Sequence, residues 1–183
     1  MRIYKGLNAD DYELCHPVNS SDFSTIREMC DGTPRAGTWP VPPMHVYRDG
    51  GRMDVDAPWL GSHVLILRPR AVAALGKVLR DYGELLPVPC DNAEVALFNV
   101  THILEALDEA ASTIARFRNS DRIMEIEHYA FRESVIGDSI IFKIPCHQSS
   151  SIFLTEAFID LWRSAGLTGL DFTPVRSGGS QTA

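Results

Sequence analysis

The stretch "ELLPVPCDNAEVALFNV", residues 84–100, contains two short extended pieces on either side of the polar turn "CDNA". Proline and branched apolar residues dominate the first piece, and the second is an apolar run of strand length. Strands joined by a turn are typical of an antiparallel sheet, because parallel neighbours need a long crossover.

Similar segments occur on both sides of this stretch. In "RIMEIEHYAF", residues 122–131, the side chains alternate with a period of two, which predicts a half-buried strand. The segment "RESVIGD" then leads to "SIIFKI", which is read as a second strand. Three further strands are predicted, in "RIYKGL" (2–7), "SHVLIL" (62–67) and "LDFTPV" (170–175).

Helices are predicted between these strands. A brief helix opens at Ser20, Ser21 or Asp22. A second begins at Pro69 and ends at Gly83, and its apolar positions share one side. A last helix begins at Thr155. Its apolar positions and its stop are Phe158, Ile159, Trp162, Ala165 and Gly166.

A further helix is predicted directly after the opening stretch. Asn99 or Thr101 can cap it, and apolar residues recur at spacings of three and four. They are Ile103, Leu107, Ala110, Ile114 and Phe117. The carboxylates of Glu105, Asp108 and Glu109 would then project from its polar side, and none of them has a lysine or arginine four residues on.

Strands and helices do not alternate regularly, so we expect an α+β fold, in which a few amphipathic helices pack on a largely antiparallel sheet. A chain of 183 residues fits one domain, which we assign to residues 1–175. Residues 176–183 have nothing to bury and are predicted to be a flexible tail. Residues 31–61, rich in proline and glycine, are expected to be an ordered excursion anchored by Trp39 and Trp59, with a possible short pairing near "MHVYR".

Composition excludes several classes of protein. The formal net charge of −7 disfavours nucleic acid as a ligand, because phosphate backbones are bound by clusters of lysine and arginine. No signal-like segment opens the sequence and no apolar run reaches the length of a membrane span, so we expect a cytoplasmic protein. If charge steers association, the partner is basic.

The search for catalytic chemistry finds little. Glu105, Asp108 and Glu109 could act as acid and base only if burial separated their pKa values, and a solvated helix face explains them more simply. The same holds for the pair Glu125 and Glu127. The dipeptides Cys15-His16 and Cys146-His147 combine zinc-ligand and nucleophile chemistry, but adjacent residues of an extended chain point to opposite faces. We expect no metal, no cofactor and no catalytic residue.

Several segments in order resemble a known family. They are "GELLPVPCD" from Gly83, "LFNVTHILEALDEAAS" from Leu97, "RF" at Arg116, "RIMEIEHYAFR" from Arg122, "IFKIP" from Ile141 and "IFLTEAFIDLWRSAGLTGLDFTPV" from Ile152. Together they resemble the eleventh immunity-protein family of bacterial polymorphic toxin systems. The leading "DAPWLGSHVLILRPRAVAALG" is a looser match, and residues 1–55 match weakly.

The resemblance implies a protein that is made beside a toxin gene and neutralises that toxin by non-covalent binding. It brings no catalytic residues with it. An acidic inhibitor suits a basic toxin, because complementary charge accelerates association. Our hypothesis is that Glu105, Asp108 and Glu109, with Trp39 or Trp59, contribute to the toxin-binding face. Two alternatives are an enzyme that reverses the toxin's modification and an adaptor or chaperone of a secreted effector.

Overall fold

The computed structural model describes residues 1–38, 41–48, 53–58, 61, 63–145 and 151–175. Trp39, Trp59 and the dipeptide Cys146-His147 lie outside the described residues, as does the predicted tail 176–183. The expectations for these positions therefore stay predictions.

Within the described residues the chain forms eleven strands and four short helices. The strands are β1 (Ile3–Asn8), β2 (Leu14–Pro17), β3 (Met44–Tyr47), β4 (Leu65–Leu67), β5 (Gly83–Pro87), β6 (Ala96–Val100), β7 (Thr113–Arg116), β8 (Ile123–His128), β9 (Ile141–Phe142), β10 (Phe153–Thr155) and β11 (Leu170–Pro174). The helices are α1 (Asp22–Met29), α2 (Pro69–Leu79), α3 (Glu133–Ile136) and α4 (Glu156–Ser164). All ladders between these strands are antiparallel, which confirms the predicted α+β class.

The largest sheet joins the two ends of the chain. Its strand order is β11-β1-β10-β9, so the first strand pairs directly with the last. Helix α4 follows β10 and buries Phe158, Ile159 and Trp162 in the main core. Gly166, in the left-handed region at φ 63°, ends this segment as predicted, since glycine adopts that conformation without a steric cost.

The hairpin predicted from residues 84–100 lies in a second sheet, with strand order β4-β6-β5. The prediction that these strands are neighbours is therefore confirmed. Helix α2 begins at Pro69 as predicted, but it ends at Leu79 and not at Gly83, because Gly83 pairs with Val100 as the first residue of β5. The helix buries Ala71, Leu75 and Leu79 in the same main core that receives α4. One apolar cluster thus joins both sheets to both longer helices.

A second core lies around the β2–β3 pair, which confirms the predicted pairing near "MHVYR". Helix α1 buries Ile26 there beside Cys15 and Cys30. Phe23, on the same helix, is 38% exposed. A third core lies where the β7–β8 pair meets β9 and β10, and includes Ile126, Phe142 and Phe153.

The helix predicted from Thr101 through Phe117 is wrong. Residues 101–112 are irregular, and Thr113–Arg116 form β7. The backbone of this segment bonds to distant neighbours instead of to itself. Leu104 N donates to Lys143 O at 2.9 Å, and Arg132 N donates to Ala106 O at 2.8 Å.

Tertiary pairing has therefore overridden helical spacing, which is a weak prior by itself. Asn99, predicted as a possible cap, is buried in β6, and its Nδ2 donates to Thr33 O at 2.9 Å. The apolar residues of the segment are buried unevenly: Ala106 and Leu107 lie in the third core, whereas Phe117 is 47% exposed. Among the described residues, none of the helices has the length and apolar character needed to cross a membrane.

Candidate partner-binding surface

The three carboxylates singled out in the sequence lie on a loop, residues 105–109, which we call the acidic loop. It runs between the backbone near Lys143 on one side and residues 130–132 on the other. Glu105 and Glu109 are exposed, and Asp108 is half-buried. The structure thus places the three acids close together along the chain but gives each a different environment.

Asp108 holds a turn. Its Oδ1 accepts hydrogen bonds from the backbone N–H groups of Ala110 at 3.1 Å and Ala111 at 3.2 Å. Its carbonyl oxygen accepts a bond from Ser112 Oγ at 2.6 Å. Aspartate commonly stabilises turns in this way. The Asp108 carboxylate therefore stabilises the turn and is less suited to contact a partner.

Glu109 and Glu105 differ in their charge partners. Glu109 Oε2 lies 2.5 Å from Arg116 Nη2, so its charge is locally balanced. The carbonyl oxygen of Glu105 accepts a hydrogen bond from Arg132 Nη2. In the described part of the chain the Glu105 carboxylate has no ion-pair partner. Of the three acids, Glu105 is the one whose charge can most readily meet a basic group on another molecule.

The β7–β8 hairpin continues this surface. Ile126 faces the third core, while Glu125, Glu127 and Met124 are exposed, Met124 by 54%. The Arg122 guanidinium lies over the Phe117 ring, 5.4 Å from its centroid. Exposed aromatic, methionine and arginine side chains are enriched at protein interfaces. The hairpin also carries three exposed arginines, which make it mixed in charge: Arg116, Arg118 and Arg122. Arg132, which precedes α3, is exposed as well.

The groups proposed for an enzymatic alternative are not assembled in the described residues. Glu125 and Glu127 are exposed on the hairpin. Cys15 is fully buried, and burial raises the pKa of its thiol, which disfavours the reactive thiolate. Its neighbour His16 is half-buried, with its ring 5.5 Å from that of Phe23. The two groups of this dipeptide belong to different environments, as expected for adjacent residues of a strand.

Lys143 lies in "SIIFKI", which the sequence predicts to be a strand, and its buried charge was not predicted. Lys143 is fully buried, and its Nζ donates a hydrogen bond to the carbonyl oxygen of Cys30. Burial lowers the pKa of Lys143 to about 8. A lysine inside "IFKIP" was the available signal, since lysine is rarely found in a fully buried strand. The contact links the strand end to the loop that follows α1.

His63 belongs to the same buried region. Burial lowers its pKa to about 4, and the positive charges of Lys143 and Arg27 act in the same direction. No described residues form a group of three or more histidine, cysteine, aspartate or glutamate side chains suited to hold a metal ion.

The comparison with protein families concerns the segment that contains the acidic loop and the β7–β8 hairpin. Residues 92–177 match the immunity protein family Imm11. This confirms the family resemblance inferred from the sequence. A comparison with curated proteins finds no match. The Imm11 segment includes the acidic loop, the β7–β8 hairpin and α4, and it supports an immunity role against toxins.

Proposed function

We propose that this protein is a bacterial immunity protein that binds its cognate toxin and neutralises it by forming a stoichiometric, non-covalent complex. The observation that carries the proposal is the Imm11 match over residues 92–177. The net charge of −7 supports a basic toxin as partner, because opposite charge steers association and can fill a cationic cleft. Such binding requires no chemical step by the immunity protein, and we propose that it takes place in the cytoplasm.

We further propose that the acidic loop contributes to the toxin-binding face. Glu105 is exposed, and its carboxylate forms no ion pair among the described residues, which supports a role for this carboxylate in binding. Glu109 would exchange or share its Arg116 partner on binding, whereas Asp108 would act by holding the turn. Trp39 and Trp59 remain proposed contact residues. The pairing of β1 with β11 supports the assignment of residues 1–175 to one domain.

The test is co-expression of this protein with the toxin domain encoded by the neighbouring gene. Rescue of growth together with co-purification of a stable complex is the expected result. Rescue without a complex would indicate that the protein is an enzyme that repairs the toxin's damage and not a binding inhibitor. A complex that leaves the toxin active would instead indicate an adaptor or chaperone, and no rescue would reject the immunity role.

A further inference from the structure

A groove separates α2 from the connection between β5 and β6. Its volume is about 900 Å³, at the upper end of ordinary ligand pockets. The lining is mostly apolar: Val72 and Ala73 on the helix face Leu85, Val88 and Val95 on the other side. We call this feature the α2 groove. It lies outside the acidic loop and the β7–β8 hairpin.

Both walls of the α2 groove are held in place by the fold. The β5–β6 connection is fixed to β3 because Asn92 bonds both backbone groups of Val46. Val46 N donates to Asn92 Oδ1 at 3.0 Å, and Asn92 Nδ2 donates to Val46 O at 2.8 Å. Met44 N adds a bond to Pro89 O at 2.8 Å. Helix α2 is held by its buried face, so a partner would meet a preformed groove and lose less entropy on binding.

The two charged residues that line the groove are both acidic. Asp91 and Glu94 are exposed, and none of the described lining residues is lysine, arginine or histidine. Asp91 Oδ1 lies 2.8 Å from Nδ1 of His45, which is outside the lining, whereas Glu94 forms no ion pair among the described residues. The β7–β8 hairpin, in contrast, carries arginines among its acids. An apolar floor beside two carboxylates is complementary to an apolar segment that carries cationic side chains at its edge.

From this geometry we propose that the α2 groove receives an apolar segment of the toxin whose flanking lysine or arginine side chains meet Glu94, with the His45-paired Asp91 beside it. The inference rests on the proposed function and adds a second contact surface to it. Apolar side chains that fill a preformed pocket carry much of the energy of an interface. The acidic rim fixes which cationic partner is accepted and speeds its arrival.

Two neighbouring alanines of α2 provide a matched test. Ala73 lines the groove, whereas Ala74 is exposed beside it without lining it. In Ala73→Trp the indole fills the groove, so we expect the affinity for the catalytically inactive toxin domain encoded by the neighbouring gene to fall about tenfold or more, the loss of one interface hot spot. Ala74→Trp should keep the affinity of the original protein. Calorimetric titration measures both, and circular dichroism verifies that both variants fold.

Charge is tested separately with Glu94→Lys against Glu28→Lys. Both substitutions change the net charge equally, and Glu28 is exposed on α1, away from the groove lining. The expected result is a larger loss of affinity for Glu94→Lys, with the difference shrinking as salt is raised.

The outcomes separate the two proposals. If the original protein binds the toxin domain and Ala73→Trp binds equally well, the groove is not the contact and the proposed function stands. If the original protein does not bind, both proposals are overturned. A small molecule that native mass spectrometry finds on the original protein and not on Ala73→Trp would also overturn the toxin segment as occupant.

Discussion

Glu109 and Arg116 form an ion pair, with Oε2 and Nη2 2.5 Å apart. Seven residues separate them in sequence, and in an α-helix that spacing would set them about 10 Å apart along the axis. The pair exists because the chain turns at residues 108–112 and enters the β7–β8 hairpin. The proposed toxin-binding face therefore has a geometry that a helix over this segment could not produce.

Reversal of charge in the acidic loop should separate binding from folding. Glu105→Lys is expected to weaken toxin binding with little change in stability, because its exposed carboxylate has no cation partner in the described structure. Asp108→Lys should lower the free energy of unfolding by about 1–3 kcal/mol, since the bonds to Ala110 and Ala111 are lost. Titration calorimetry and urea unfolding measure the two effects. If the triple charge reversal of Glu105, Asp108 and Glu109 leaves the affinity for the toxin unchanged, the acidic loop is not part of the interface.

Glu13 should be among the most sensitive ionic positions of the fold. It is 1% exposed, and its carboxylate accepts bonds from Arg68 Nε at 2.6 Å, Arg48 Nε at 3.0 Å and Val55 N at 3.2 Å. Glu13→Ala would leave the mostly buried Arg68 unpaired, with an expected loss of about 3–5 kcal/mol in urea unfolding.

Arg48→Ala is the control for that substitution. Arg48 is 46% exposed, so solvent screens its charge and we expect a much smaller loss than for Glu13→Ala. Equal losses for the two variants would contradict the prediction, because they would show that leaving Arg68 without its carboxylate has no special cost.

The free energy of unfolding should decrease as the pH is lowered through a window set by the pKa of His63. Its folded pKa of about 4 lies below the ordinary 6.5, so the unfolded chain binds the proton first as pH falls. The contribution of His63 to stability is therefore complete above pH 6.5 and is lost progressively toward pH 4. Urea midpoints across this window should fall less steeply in His63→Gln. Burial also lowers the pKa of His102, so some slope should remain. An unaltered slope in His63→Gln would contradict the assignment.

Gly83 should not tolerate a side chain. A Cβ at this position would lie 2.1 Å from the carbonyl oxygen of Asn99, which belongs to β6, the partner strand in the β5–β6 hairpin. Gly83→Ala is expected to cost about 3 kcal/mol in the free energy of unfolding, the upper part of the usual range for overpacking. Gly37→Ala serves as control, because a Cβ there meets nothing within 4 Å. Similar stability of the two variants would refute the close approach.

Much of the secondary structure could be read from local patterns. The hairpin of β5 and β6, the period of two in β8, and the start of α2 at Pro69 all depend on residues close in sequence. Helix α4 was also predicted from its apolar spacing and Gly166. Within such segments the preferred backbone conformation and the buried face coincide, so local rules and tertiary contacts favour the same structure.

The candidate surfaces were less accessible to sequence reasoning. Glu105, Asp108 and Glu109 were visible as a group, but their different environments depend on contacts with residues far along the chain, such as Ala130 and Arg132. The α2 groove was not found at all. Its walls come from α2 and from residues 87–96, and Asn92 holds the second wall by bonding to Val46, 46 positions away.

The sequence by itself determined the α+β class, most of the strands and helices, the acidic balance and the family resemblance, because composition and periodicity record which residues must be buried. Only the tertiary structure decided that residues 101–117 are a loop and a strand. A backbone group bonds to whichever partner the folded chain supplies. Here Leu104 N and Asp108 N donate to the carbonyl oxygens of Lys143 and Ala130, and Ala106 O accepts from Arg132 N. Spacing along one segment contains no information about those partners.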